Sequence, residues 1–421
     1  MNESLLQFIW QHSLYNATAL HTLSGERITV IHPGYLNTDA GPDFSKAKIK
    51  IGDTLLVGNV EVHVYSADWY KHGHQHDAAY ASLALHVVYE HNSEKLPEGI
   101  PLLELKNSID AATIARYADL TAAGPGIPCA GQLHNVKDIT REAWLSRLLA
   151  ERWEQKLQEW QVMLTNSMDD WRNLLYWRLA ANFGFRTNAA PFLMLARSLP
   201  LNVATRHRGD LMQLEALLFG QAGMLSEDFT DDYPRELQRE YDYLKKKYQL
   251  KPLQAGQWKF LRMRPANFPT IRIAQYAALV HQSVHLFSQI IEASSVADIK
   301  PLLNVKASVY WDDHYTFDAQ VQKPVPKKLG VTSVENIVIN TIAPIQFLYA
   351  SRHGQPQQQE KALSLLETVP AEQNSIISKW QETGWSPSDA GQSQAMLQLY
   401  NNYCSKKRCL ECAVGLALMR R

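Results

Sequence analysis

Asp43, Glu61 and His63 are the residues of this chain whose types and spacing best suit hydrolytic chemistry. Pro42-Asp43 opens one strand-like run, and Glu61-Val62-His63 closes the next. Residues two apart on a strand face the same side, so Glu61 and His63 project together. Two carboxylates on adjacent strands offer hard oxygen ligands to Mg²⁺ or Mn²⁺, which keeps several waters, one of them able to attack phosphorus. His63 would act as base or ligand near neutral pH without supplying a permanent charge. The plainer alternative has Asp43 capping a turn and Glu61 paired with a base on a solvated sheet face.

The run Ser66 to Tyr80 is the densest polar cluster in the chain. If it is helical, Asp68, His72, His76 and Tyr80 fall four apart on one face that lines the same cleft. If it is extended, His72, His74 and His76 share a side and suit Zn²⁺, with Asp77 beside them. A surface helix with histidines bonded to neighbours is the alternative without chemistry. Near the C-terminus, Cys404, Cys409 and Cys412 stand in a basic setting of Lys406, Lys407 and Arg408. With Cys129 they complete a four-sulfur site for zinc or an iron–sulfur cluster, set against the reading of free thiols packed on a helix.

These residues need elements to position them. A chain of 421 residues exceeds the size of a single growing core, so two or three domains are expected. Leu5–Leu14 reads as an amphipathic helix, and 27–31 as a strand closed by Pro33-Gly34. Phe44–Ile51 and Leu55–Val64 read as a hairpin about the turn Gly52-Asp53. A polar helix over 67–81 and strands at 83–89 and 102–105 follow. Glu26, at the edge of the first strand, is an additional candidate ligand. In this hairpin, a perfect two-residue turn sets Asp43 opposite Val62 and away from Glu61, so a shared face requires a bulge or a longer turn.

Gly124-Pro125-Gly126-Ile127-Pro128 marks the clearest boundary. The expected organisation is an α/β domain over 1–120, a helical domain over 121–330 with a small β excursion near 306–320, and a C-terminal helical segment over 331–421 carrying the cysteines. Helical spacing recurs at 141–160, 171–183, 210–219, 235–248, 271–291, 333–349 and 395–403. Lys+Arg and Asp+Glu balance at 42 each, so any nucleic-acid partner, DNA or RNA, must be met by a local patch. One candidate is Lys245-Lys246-Lys247 with Arg262 and Arg264, interleaved with Trp258, Phe260 and Phe268; a solvated helix end is the commoner meaning of such a run. No stretch approaches the roughly eighteen apolar residues of a membrane span, and no basic leader precedes Leu5, so a cytoplasmic protein is expected.

The early hairpin with Asp43, Glu61 and His63, and the order helix, three strands, helix, strand, resemble the PD-(D/E)XK nuclease superfamily. That resemblance covers about the first 105 residues and implies a restriction-endonuclease-like αβββαβ core in which Asp43 and Glu61 hold Mg²⁺. His63 stands in the usual Lys position, and His76 and Tyr80 have the spacing of a Gln-x-x-x-Tyr pair found in some of these nucleases. The 72–77 run is similar to the His-x-His-x-Asp-His loop of metallo-β-lactamase-type hydrolases, with its last His and Asp exchanged. A longer set of motifs carries another likeness: His32-Pro33-Gly34, Gly41-Pro42-Asp43-Phe44, Gly58-Asn59-Val60-Glu61-Val62-His63, Asp68-Trp69, Leu85-His86-Val87-Val88, Phe260 to Pro269 and the terminal cysteines. Through these the chain resembles a bacterial, largely Bacteroidetes family, domain of unknown function 2851, which implies bacterial origin and no particular activity.

Overall fold

Residues 1–37, 39–122 and 126–421 are described here, in a computed structural model. Gly124 and Pro125 of the boundary motif lie outside the described residues.

Alternation in the early hairpin has a direct structural outcome. Phe44, Ala47, Ile49 and Ile51 of strand β3 (Phe44–Ile51) are buried, while Lys46, Lys48 and Lys50 are exposed, as a half-buried strand requires. Strand β4 (Thr54–Tyr65) pairs with it antiparallel about Gly52-Asp53, starting from Ile51 opposite Thr54. Strands β1 (Ile28–His32) and β2 (Tyr35–Leu36) pair along β3, also antiparallel. On the other side of β4, strands β5 (Leu83–Glu90) and β6 (Leu102–Glu104) add in parallel. The result is a mixed six-stranded sheet, ordered β1-β3-β4-β5-β6 with β2 beside β3, forming a half-barrel with helices. Helix α1 (Glu3–Gln11) packs on β4 through a face that buries Leu5, Leu6, Phe8, Ile9 and Trp10.

The β3–β4 register carries the bulge on which the site depends. Pairing shifts between Phe44 and Ala47, where Lys46 takes a left-handed φ of 56°. Phe44 therefore faces Val60, and one step further Asp43 lies opposite Glu61, on the same sheet face.

The helix expected over 67–81 is interrupted. Helix α2 spans only Asp68–Lys71, Gly73 adopts φ 76°, and two 3-10 turns follow at His74–His76 and Ala78–Tyr80. Glycine alone enters that left-handed conformation without steric cost, so the chain reverses there. The i,i+4 face through Asp68, His72, His76 and Tyr80 does not form. Two other expectations are also corrected. Ser308-Val309-Tyr310-Trp311 is no strand; a 3-10 turn spans Val309–Asp312, flanked by isolated bridges at Lys306–Lys328 and His314–Gln320. The helix expected over 271–291 is divided into Pro269–Gln282 and Leu286–Glu292.

The chain forms two compact units, and their limits differ from the boundaries read at 120 and 330. The first comprises 1–144, 382–385 and 399–421; it holds the sheet, helix α3 (Ala111–Ala122) and the terminal residues 399–421, whereas 331–381 and 386–398 of the expected C-terminal segment fall in the second. The second comprises 145–381 and 386–398 and is mostly helical around Trp160, Phe183, Phe192, Phe219, Tyr276 and Trp311. Trp258 belongs to this core, its Nε1 donating to the Ala222 carbonyl at 2.8 Å, so it offers no stacking platform beside the basic run. Lys245, Lys246 and Lys247 occupy the last turn of the helix Asp232–Tyr248, where cations complement the helix dipole. Among the described residues no helix is long and apolar enough to cross a membrane.

Candidate metal centre

β4 presents Glu61 and His63 two residues apart, β3 brings Asp43 opposite Glu61, and β5 sets His86 beside Glu61. The turn after α2 folds His72 and His74 over this face. Glu61, His63 and His86 are buried, His74 is half-buried and His72 is exposed, so the group opens to solvent on the His72 side.

The donor atoms converge. His63 Nε2 lies 3.2 Å from His72 Nδ1 and 3.5 Å from Glu61 Oε1, and His74 Nε2 lies 3.4 Å from the same oxygen. One donor atom each from His63, His72 and His74 falls within 4.8 Å of the other two. A tetrahedral ion with metal–nitrogen bonds of about 2.0–2.1 Å separates its ligand atoms by about 3.3–3.4 Å. The His63–His72 separation fits that figure. Three imidazoles would hold such an ion; Glu61 Oε1 stands beside His63 and His74 without completing a group of four with them.

The other contacts fix these side chains. Glu61 Oε2 accepts the Asp43 backbone N–H at 3.1 Å, and Asp43 Oδ2 accepts the Val62 N–H at 3.0 Å. Gln7 of α1 also hydrogen-bonds the Asp43 carboxyl. His63 Nδ1 meets His86 Nε2 at 2.9 Å. The His74 ring stands 4.0 Å from the Tyr80 ring and 5.2 Å from that of His63. His74 Nε2 and His86 Nδ1 are buried and have no hydrogen-bond partner, an unusual condition for buried polar atoms.

Burial favours the neutral form of the His63, His74 and His86 imidazoles. Burial, then His86, His74 and His72, drive the His63 pKa down to about 2. Burial and His74 lower His86 to about 4, and burial followed by His72 lowers His74. A neutral imidazole has a lone pair free for a metal. The carboxyls move the other way: burial and then the Asp43 charge push Glu61 up to about 8, while burial pushes Asp43 up to about 6 against hydrogen bonds from Gln7 and Val62. Tyr80 is raised to about 12 by burial and by Glu61 and Asp43.

The structure thus gathers Asp43, Glu61, His63, His72, His74 and Tyr80 of the residues singled out from sequence. It leaves His76 and Asp77 exposed, with His76 outside the trio; the left-handed Gly73 turns the chain so that His72, His74 and His76 share no side. Glu26 is exposed and accepts from Ser24 Oγ, away from the centre. His86 and Gln7 were missed. The available signal for His86 was a histidine within Leu83–Tyr89, a strand whose burial on both faces requires its polar residue to have a partner.

All four cysteines are free thiols of the first unit. Cys129 precedes the 3-10 helix Ala130–Asn135, Cys404 ends the π turn Tyr400–Cys404, Cys409 begins the 3-10 turn Cys409–Glu411, and Cys412 precedes the terminal helix Ala413–Met419. That helix packs on Ala130–Asn135 and on α3. The sulfurs are close enough that ionising one opposes the next. Burial and then Cys412 and Cys409 push Cys129 up to about 12, and burial, Cys129, Cys412 and Cys409 raise Cys404 further.

Fold and centre together define a two-unit protein in which a mixed-sheet unit presents a histidine–carboxylate group and a second unit is helical. The chain belongs to the family described as protein of unknown function DUF2851, whose model matches residues 3–375. The terminal cysteines, also read from sequence as part of that likeness, lie beyond the matched residues. No curated protein and no solved structure matches the chain.

Proposed function

We propose that the first unit is a metal-dependent hydrolase of nucleic-acid phosphodiesters, using an imidazole-ligated divalent ion in place of Mg²⁺ held by carboxylates alone. The observation that carries the metal is the convergence of His63, His72 and His74, one donor atom of each lying within 4.8 Å of the other two, with His63 Nε2 and His72 Nδ1 3.2 Å apart. Imidazole ligands suit zinc and the later transition ions better than magnesium. Support for a phosphodiester substrate is the acidic pair Asp43 and Glu61 on adjacent antiparallel strands, followed by α2 and the parallel strand β5, in the order of the restriction-endonuclease-like core.

A bound ion would supply a water of lowered pKa and offset charge on the phosphoryl oxygens. His63, His72 and His74 would hold it, with the Glu61 carboxyl beside His63 and His74. With His63 Nε2 turned to the ion, its Nδ1–H would donate to His86 Nε2, so that His86 orients its neighbour as outer-shell partners of ligating histidines do. Asp43, raised to about 6, is the general base: its carboxylate takes the proton of the attacking water, having a pKa near the working pH. Tyr80 packs the His74 ring in place.

The alternatives are a zinc hydrolase centred on His72, His74 and His76, and a non-catalytic binding or scaffold protein on a degenerate nuclease-like fold. His76 lies outside the group of converging donors, which counts against the first of these as it stands; the ligand set above keeps its zinc and replaces His76 with His63. The test is incubation of purified protein with single-stranded and duplex DNA and RNA plus Zn²⁺, Mn²⁺ or Mg²⁺, beside Glu61→Ala and Asp43→Asn. Cleavage with Zn²⁺ or Mn²⁺ that both variants lose is expected. Metal uptake without cleavage of any of these substrates would leave the scaffold reading, and cleavage unchanged in Glu61→Ala would remove the site assignment.

A further inference from the structure

We propose that Cys129, Cys404, Cys409 and Cys412 ligate an iron–sulfur cluster that fastens the C-terminal segment 399–421 to the rest of the first unit.

The chain has four cysteines, and the elements that carry or follow them contact one another although Cys129 is far from the others in sequence: the terminal helix after Cys412 packs on the Cys409–Glu411 turn and on Ala130–Asn135 after Cys129, and the Cys409–Glu411 turn packs on Tyr400–Cys404. Buried cysteines used only as small apolar filler have no reason to collect in this way. Every one of them sits at the end of a short helical element, where the backbone turns and the side chain is aimed by the turn.

Spacing separates a cluster from a single zinc ion. Four thiolates on one zinc, with bonds of about 2.3 Å, stand about 3.8 Å apart. Among the described residues, the donors that gather in a trio within 4.8 Å are the three histidines, and the sulfurs form no such trio. The thiols are therefore near neighbours spread wider than one ion holds. A cluster interposes several irons between its cysteine ligands and suits that wider spread.

The local backbone is shaped around the same place. A Cβ on Gly415 would lie 1.9 Å from the Cys409 carbonyl oxygen, so only glycine lets the terminal helix approach the Cys409 turn. The Val414 and Gly415 N–H groups are directed at the Cys412 sulfur, and N–H···S hydrogen bonds of this kind tune cluster potentials. Lys407, at φ 53°, turns the chain between Cys404 and Cys409, and its ammonium donates to the Thr121 carbonyl of α3 at 2.8 Å. The same segment is thus tied to the earlier chain by this hydrogen bond, and also by that between Arg420 and His12.

On assembly, each cysteine gives up one proton and forms one sulfur–iron bond, while ferrous and ferric iron with inorganic sulfide supply the core at the oxidation level it keeps, so no electron is taken from or given to any residue. Because ligation spans Cys129 and the C-terminal segment, binding free energy becomes folding free energy for that part of the unit.

The experiment uses the full chain, purified without oxygen, and measures iron, acid-labile sulfide and zinc together with the absorption spectrum. The expected result is iron with a comparable amount of sulfide and broad visible charge-transfer absorption that fades in air. Cys409→Ser, at a partly exposed position, lowers iron and sulfide to background, whereas His74→Ala leaves both unchanged. Protein recovered without metal is reconstituted with ferrous and ferric iron and sulfide, so that loss during purification still gives a reading. Should Cys409→Ser misfold, protease sensitivity of segment 399–421 in wild-type protein is compared before and after reconstitution, with protection expected. Stoichiometric zinc without sulfide, iron without sulfide, or no cluster after reconstitution each overturns the proposal.

Discussion

Glu215 of the helical unit and Glu61 of the sheet unit are both buried carboxyls raised by burial, to about 7 and about 8. Their surroundings differ. Glu215 Oε2 accepts the Tyr233 hydroxyl at 2.6 Å, and its Oε1 is buried without a hydrogen-bond partner. That donor is a hydroxyl, and among the described residues no histidine, cysteine or further carboxylate joins Glu215 in a metal-sized group. Glu61 instead turns Oε1 toward two imidazole nitrogens at 3.4 and 3.5 Å, one of them, His74 Nε2, with no hydrogen-bond partner. A raised pKa therefore does not distinguish a site from a structural buried acid. Donor atoms that face one another at ligand spacing without a partner do.

The largest effect expected from this contrast is on metal uptake. His74→Ala or His63→Ala should weaken Zn²⁺ binding by at least about 100-fold, since even outer-shell partners of metal ligands are worth about 10–100-fold. Glu215→Ala should leave uptake unchanged and cost about 1–3 kcal/mol of stability by stranding the Tyr233 hydroxyl. Calorimetric Zn²⁺ titration and denaturant unfolding of the three variants measure both. Equal loss of uptake in Glu215→Ala would dissolve the distinction between the two carboxyls.

A smaller effect concerns pH. Glu61 in the folded, metal-free protein keeps its proton up to about 8, whereas the unfolded chain releases it near 4.5. The folded state then binds more protons across that interval, so stability falls as pH rises through it. His63, lowered to about 2, and His86, lowered to about 4, have the opposite sign: below 6.5 the unfolded chain takes up protons that the fold refuses, and stability falls as pH drops. Asp43, raised to about 6, repeats the Glu61 behaviour at lower pH. Between pH 6.5 and 8 Glu61 alone of these groups acts, and it should remove up to about 2 kcal/mol. Glu215, raised to about 7, acts in the same direction up to that pH, and Lys156, lowered to about 7, in the opposite direction above it, so the reading is the difference between variants: the melting temperature of metal-free Glu61→Gln should gain on that of wild type as pH rises from 6.5 to 8. Bound Zn²⁺ should reverse the sign of that difference, because the ion displaces the Glu61 proton and binds more tightly as pH rises toward 8.

Much of this was legible in the residues, for reasons that differ by element. The alternation of Phe44 to Ile51 and the Gly52-Asp53 turn prescribe the hairpin, and the two-residue period places Glu61 with His63. The apolar run at Leu83–Tyr89 marks a strand covered on both faces, as the parallel β5 is. What sequence did not yield is spacing set by other segments. His63 and His72 meet because Gly73 ends α2, and the polar run 66–80 by itself is compatible with helix or loop. The cysteines join a terminal segment to an early one, a long-range closure that local pattern cannot encode. Ser308 to Trp311 is rich in β-formers, yet Trp311 is buried against Phe219 and the segment turns to bring it there, so tertiary packing overrides propensity.

The smallest predicted effect tests the bulge that brings Asp43 to Glu61. Lys46 holds a left-handed φ of 56° with its side chain exposed, a conformation costing roughly 1–2 kcal/mol for a residue with a Cβ. Glycine removes that cost but gives the unfolded chain about 0.4–1 kcal/mol of additional freedom. Lys46→Gly should therefore stabilise the protein by less than about 1 kcal/mol and leave Zn²⁺ affinity unchanged, because β4 carries Glu61 and His63 and the bulge lies in β3. Denaturant midpoints resolve a difference of that size at constant m-value. A marked loss of stability would mean that the lysine side chain, and not the backbone kink, sets the register that makes the two carboxyls neighbours.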